Sequence, residues 1–187
     1  MTFSMNSAGS IINKQFPVVR LSTFLEKSSL PPDTTLPNLV EYMTSPEKRP
    51  KWDTGFKEYK NLEATDKYSV LFSWMKKPIF FVSERDAIDK KVDFFYDNEF
   101  YSFSASVSDD YIPLNKDVTR ITDYIFAYHI YQDETKFYIR SLSQIDFKMN
   151  VPQSLLNGTL PMKMKEWYKS MIAFMQKEYA DENKLID

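Results

Sequence analysis

Histidine and cysteine supply many of the proton shuttles, nucleophiles and soft-metal ligands of enzymes. This chain has a single histidine, His129, and no cysteine. Multi-histidine metal centres, thiolate zinc sites, cysteine nucleophiles and disulfides are therefore excluded. No Gly-x-Ser-x-Gly elbow exists for His129 to serve. Along Tyr124 to Tyr131 it alternates with Tyr128 and Ile130, the setting of a strand histidine with a local hydrogen bond. Gly9, Gly55 and Gly158 are too scattered to build a phosphate-cradling loop or a dinucleotide fingerprint. Acidic pairs remain as candidates for acid-base work. Asp109-Asp110, close to Pro113, reads as a solvated loop tip, and Glu84 and Asp86 flank Arg85 in the pattern of structural ion pairs. Nothing here is a positive sign of catalysis, so the chain reads as a non-enzyme without metal or cofactor.

The 187 residues fit one domain with a real core and room for an internal cavity. Fifteen Phe, twelve Tyr and three Trp supply large apolar walls and favour strands. A bulky core and a lined pocket both fit that composition. The formal charge of −2 gives no global positive field for a phosphate backbone, so nucleic acid is not an expected partner. The longest apolar runs, such as Ile79 to Val82 and Tyr124 to Ala127, fall far short of the ~20 residues that span a bilayer. A soluble or peripheral protein is expected. The lack of cysteine suits a reducing compartment, and the cytoplasm is the first expectation. Met1 to Gln15, with Lys14 as their one charge, make at best a weak organelle-targeting peptide, which leaves a mitochondrial, membrane-associated address as the alternative.

The elements follow from periodicity. Residues 1–15 read as a polar N-terminal arm or a short helix, and Phe16 to Phe24 as a strand around Val18-Val19. After Leu30-Pro31-Pro32-Asp33, a helix capped by Asp33 or Thr34 runs to about Thr44. Its apolar stripe is Leu36, Leu39, Val40 and Met43. From Phe56 onward the pattern is antiparallel strands: Lys67 to Trp74, Ile79 to Phe95, Phe100 to Val107, Val118 to Tyr131 and Lys136 to Asp146. Turns fall at Lys76-Lys77-Pro78, Asp97-Asn98, Ser108 to Asn115 and Gln132 to Glu134. A last amphipathic helix runs from about Pro161 to Tyr179, with Met164, Trp167, Tyr168, Met171, Phe174 and Met175 on one face. Strands followed by one closing helix make an α+β arrangement.

Three short segments punctuate this order: Arg49-Pro50-Lys51-Trp52-Asp53, Ser83-Glu84-Arg85-Asp86, and Asp146-Phe147-Lys148-Met149-Asn150-Val151-Pro152. In order and spacing they resemble the START family of lipid-binding domains, from about Phe16 to Gln176. Trp52-Asp53 is similar to the family's Trp-Asp ahead of the sheet. Arg85-Asp86 is similar to its strand motif, though Ala87-Ile88 follow where Phe-Val is usual. Asp146 to Pro152 resembles its Asp-x-Lys-Gly-x-x-Pro turn, with Met149 in place of Gly. A turn that needs positive φ there is costly for Met149 and easier for Asn150.

The resemblance implies a helix-grip fold: a curved antiparallel sheet wrapped around the C-terminal helix, with an apolar cavity between them. The domain spans 16–180, and 181–187 form a tail. Its ligand is a lipid or sterol, its other partners a transiently met membrane surface and possible protein partners. Expected cavity residues are Phe81, Phe94 and Phe103 from the sheet and Met164, Trp167, Met171 and Met175 from the lid. Lys91, six positions beyond the motif arginine, is a polar anchor or else a strand end in solvent. Ligand entry requires the final helix or the Ser108 to Asn115 loop to move. Lys163, Lys165 and Lys169 then either meet anionic head groups or form an ordinary wet face. A second reading makes the chain an accessory subunit of a larger assembly, with the cavity filled by its own aromatic side chains.

Overall fold

In the computed structural model, residues 4–8, 18–77, 83–107, 111–146, 148–149 and 153–184 are described. Nine strands form one sheet: β1 (Ser4–Ala8), β2 (Val18–Glu26), β3 (Phe56–Ala64), β4 (Ser69–Met75), β5 (Arg85–Tyr96), β6 (Glu99–Ser106), β7 (Thr119–Ile121), β8 (Tyr124–Gln132) and β9 (Lys136–Ile145). The order across the sheet is β1-β2-β9-β8-β6-β5-β4-β3, and β7 pairs with β5. Every neighbouring pair is antiparallel except β5 with β7. Helices α1 (Leu36–Thr44) and α2 (Gln153–Asn183) complete the chain, an α+β helix-grip fold as the sequence implies.

Local chemistry explains the joints. Thr35, not Asp33 or Thr34, caps α1: its hydroxyl accepts from the Asn38 amide while the Asn38 side chain accepts from the Thr35 amide, a reciprocal box. The α1 stripe Leu36, Leu39, Val40 and Met43 is buried as its spacing requires. Asp97 and Asn98 both take positive φ, 49° and 59°, which gives the β5–β6 hairpin the tight turn that matches strand twist.

Several expectations are corrected. Part of the N-terminal arm, Ser4–Ala8, is a strand paired with β2. Val118 to Tyr131 is two strands, divided at Thr122-Asp123, where the Thr122 carbonyl accepts from the Ser106 hydroxyl and the Asp123 carbonyl from the Asp146 amide. α2 begins two turns before Pro161, which lies inside it. Proline suits a first turn, and here the helix forgoes one backbone bond instead. The left-handed residue of the Asp146 turn is Lys148, φ 52°, rather than Met149 or Asn150. Asp146 holds it there, accepting the Lys148 amide at 2.8 Å and pairing with its ammonium at 2.6 Å.

The main core lies between the sheet and the helices: Leu25, Phe100, Ile130, Phe137 and Ile139 meet Leu39 and Met43 of α1 and Tyr168, Met171 and Met175 of α2. A smaller core sits on the other side of the sheet, where Val107 and Ile112 cover Val70, Phe72 and Ile88. Beside it, Arg120 donates to both carboxylate oxygens of Asp86 at 2.7 and 3.0 Å, a buried bidentate pair.

Candidate functional site

Because side chains alternate across a strand, the register determines what faces α2. Near the C-terminal half of α2 the inward row is apolar: Thr23, Ile139, Ile130 and Phe100, with Phe95 at the end. One row further it becomes Leu21, Ser141, Tyr128, Ser102 and Asp93. The next carries Ser143, Phe126, Ser104 and Lys91, and the last Ile145, Tyr124 and, beside them, Ser106 and Asp89. Phe126, Tyr128, Ser141, Ser143 and Ile145 are half-buried, whereas Ile130, Phe137 and Ile139 are sealed. The inner face therefore has a closed apolar end and a polar, incompletely sealed end.

Asp89 is the most demanding group of the polar end. It is 7% exposed, and burial raises its carboxyl to about 6, against the opposing pull of Lys91 and Arg49 and a Ser104 hydrogen bond. Lys91 reaches Asp93 at 2.7 Å and the Thr44 carbonyl at 3.4 Å, which closes a charged run along the inner side of β5. Burial also pushes the Tyr128 phenol up to about 12. These tyrosines and serines serve as neutral donors and acceptors at ordinary pH.

A second cluster holds the helix over this face. Asp53 Oδ2 accepts from Arg49 Nε at 3.1 Å and from Trp167 Nε1 at 2.7 Å, and Asp53 Oδ1 accepts from the Gly55 amide at 3.1 Å. The Arg49 guanidinium lies 4.7, 5.1 and 5.4 Å from the ring centres of Phe56, Tyr59 and Trp167. Trp52 packs edge-on to Trp167 at 4.7 Å and donates to the Tyr42 carbonyl. Further along α2, Glu178 accepts from Tyr42 and Lys48. The Trp52-Asp53 pair is thus a latch for α2, which makes its role structural.

The expected site residues separate into groups. Lys91 is on the inner face. Met164 and Trp167 border it, while Met171 and Met175 are packed into the sealed apolar end. Phe94 and Phe103 are corrected: they stand on the outer face, 42% and 52% exposed, because the inward phase of β5 and β6 belongs to Asp93, Phe95, Ser102 and Ser104. Phe81, Pro152 and Asp109-Asp110 lie outside the described residues. Arg85 donates to Ser83, Asp86 pairs with Arg120, and Glu84 with Lys57. Residues 111–115 of the expected gate loop sit on the outer face, where Tyr111 donates to Glu63. Lys163, Lys165 and Lys169 are exposed, and Lys163 pairs with Glu166. His129 has its local partner, Glu99, at 2.6 Å. Asp89, Tyr124, Tyr128 and the serines were missed. The signal for them is the alternation of Ser102, Ser104, Ser106 and of Ser141, Ser143, which marks a polar phase opposite the aromatic one.

Among the described residues, no three His, Cys, Asp or Glu side chains are grouped to hold a metal ion, and no helix is long and apolar enough to cross a membrane.

No family model matches the sequence, and no curated protein matches it either. Solved structures do. Human StAR-related lipid transfer protein 5 superposes with a TM-score of 0.76 at 17% identity, over 95% of this chain and 83% of that one. Human STARD10 gives 0.68 at 20% identity over 93% and 75%. A STAR-related lipid transfer protein from Xanthomonas axonopodis gives 0.64 at 15% over 92% and 98%. Likeness at such low identity speaks to architecture alone, and in architecture the chain has a START-like helix-grip fold.

Proposed function

We propose that this chain is a non-enzymatic lipid-binding or lipid-transfer domain. It holds one lipid or sterol between the inner face and α2, with its polar head against Asp89, Lys91, Asp93 and the serine rows and its apolar part toward the sealed end. The observation that carries this reading is the change of the inner face from apolar to polar along its length. A lipid tail that leaves a bilayer for an apolar cavity exchanges one apolar medium for another, so the ~0.8 kcal/mol per methylene set by water nearly cancels. Selection then falls to the head group, since a buried polar group left unpaired costs about 1–3 kcal/mol. Asp89 fits that role, because a carboxyl kept buried at a cost to the fold is well suited to recognising a donor or a cation. Transient contact with a membrane completes the exchange, and similarity to lipid transfer proteins supports the assignment.

Protein purified from a lipid-containing extract is expected to carry one lipid per chain by mass spectrometry. An empty chain that takes up nothing from liposomes contradicts the proposal. The accessory-subunit reading is favoured by a different observation, the apolar outer face described next. Co-fractionation with other proteins at native abundance separates it from a free-standing carrier.

A further inference from the structure

A single sheet that grips a helix on one side should present polar residues on the other. Here the outward phase of β5, β6, β8 and β9 is aromatic and aliphatic. Phe103, Phe94, Tyr101, His129, Tyr131 and Tyr138 form a continuous ring ladder, with successive centres 6.2, 5.4, 4.7, 4.9 and 4.9 Å apart. Val92, Ala127 and Leu142 share this face with the ladder. Tyr96 is 71% exposed and Val92 38%. Over β4 and the start of β5 the chain covers its apolar outer face with Val107 and Ile112; among the described residues nothing does the same for the ladder.

We infer that this outer face packs against the same face of a second copy of the chain. The argument is self-complementarity. On the outer side of β2, Arg20 and Glu26 stand at opposite ends. Along β5, Lys90 stands at one end and Asp97 follows the other. A twofold axis in the interface, perpendicular to the strands, lays each strand over its own counterpart with the ends exchanged. Lys90 then faces Asp97 and Arg20 faces Glu26, while the ring ladders meet at the centre. Any rotation that keeps the ends together sets acid on acid. Four strand spacings of ~4.8 Å by three side-chain rows of ~6.8 Å give a footprint of about 500 Å² per copy once side-chain girth is included. The pair buries about 1,000 Å², near the lower limit of specific interfaces, so association in the micromolar range is expected. Aromatic residues at the centre of such a patch carry most of the binding. Two sheets packed in this way keep their strands within about 30° of one another. The inference is independent of lipid binding, since it uses no residue of the inner face.

Sedimentation equilibrium of the full chain across the micromolar range is the test. The expected result is a reversible rise to twice the chain mass. The double variant Phe94→Ser/Phe103→Ser should weaken association at least tenfold with an unchanged circular dichroism spectrum, since both rings are already solvent-exposed. Arg20→Glu alone should weaken association, and Arg20→Glu with Glu26→Arg should restore it, because the two positions face each other across the axis. A mass that stays at one chain up to several hundred micromolar overturns the inference. So does a dimer indifferent to Phe94 and Phe103, or a charge exchange that fails to restore association in a folded protein.

Discussion

The two faces of this sheet are made from the same strands and carry opposite chemistry. On β5, Asp89, Lys91 and Asp93 point inward, while Lys90, Val92, Phe94 and Tyr96 point outward. On β6, Ser102 and Ser104 point inward while Tyr101 and Phe103 point outward. An ordinary two-layer fold reverses this arrangement, because apolar side chains gain by leaving water. Polar groups inside and aromatic rings outside reduce the stability of an isolated domain. The difference is understandable if each face meets something besides water and its own chain: a ligand within, a partner without.

The comparison breaks first at the sealed inner end. Phe137→Ala empties a fully buried ring position and should cost about 4–5 kcal/mol in urea unfolding. Next comes the outer face where the chain covers it. Arg120→Ala strands Asp86 as a buried carboxylate and should cost about 3–4 kcal/mol by the same assay.

The polar inner end should respond with the opposite sign. The folded-state carboxyl of Asp89 lies at about 6, above the ordinary 3.8, so the native state holds this proton more tightly than the unfolded chain does. Its contribution to stability is complete below about pH 4, falls as pH rises through 6, and stays low above that. Asp89→Asn should therefore stabilise the ligand-free protein at pH 7.5 by up to about 3 kcal/mol and flatten the stability profile between pH 4 and 6. Calorimetry at several pH values checks both. A destabilised variant at neutral pH would mean that the Asp89 charge supports the fold. The smallest effect belongs to the open outer face: Phe103→Ser, measured at concentrations where the chain is monomeric, should change stability by no more than about 1 kcal/mol.

Much of the architecture was legible because it rests on periodicity. The α1 stripe, the strand runs, the Asp97-Asn98 hairpin and the amphipathic stretch Met164 to Met175 each have a local cause that leaves a mark in the sequence. The site was less so. Sequence marks β5 and β6 as alternating, but it does not say which phase turns toward the helix; preference for apolar interiors assigned Phe94 and Phe103 inward. The phase is set by long-range pairing, in which Phe100 must meet Ile130 and Ile139 under Tyr168 and Met171, and that carries Ser102, Ser104 and Asp93 inward with it. Pro161 misled for a similar reason, since its local preference for a first turn yields to a longer helix. Lys148 takes the strained turn position through Asp146, a partner that composition alone does not reveal.

The most direct test of the two-faced account is lipid uptake from liposomes, read by native mass spectrometry on the wild-type chain and two variants, Lys91→Leu and Phe103→Ser. The account predicts one lipid per wild-type chain, loss of the complex in Lys91→Leu because a head-group partner is gone, and retention in Phe103→Ser. Uptake lost in Phe103→Ser but kept in Lys91→Leu, or no lipid on any of the three, would contradict the assignment of the inner face as the ligand-bearing one.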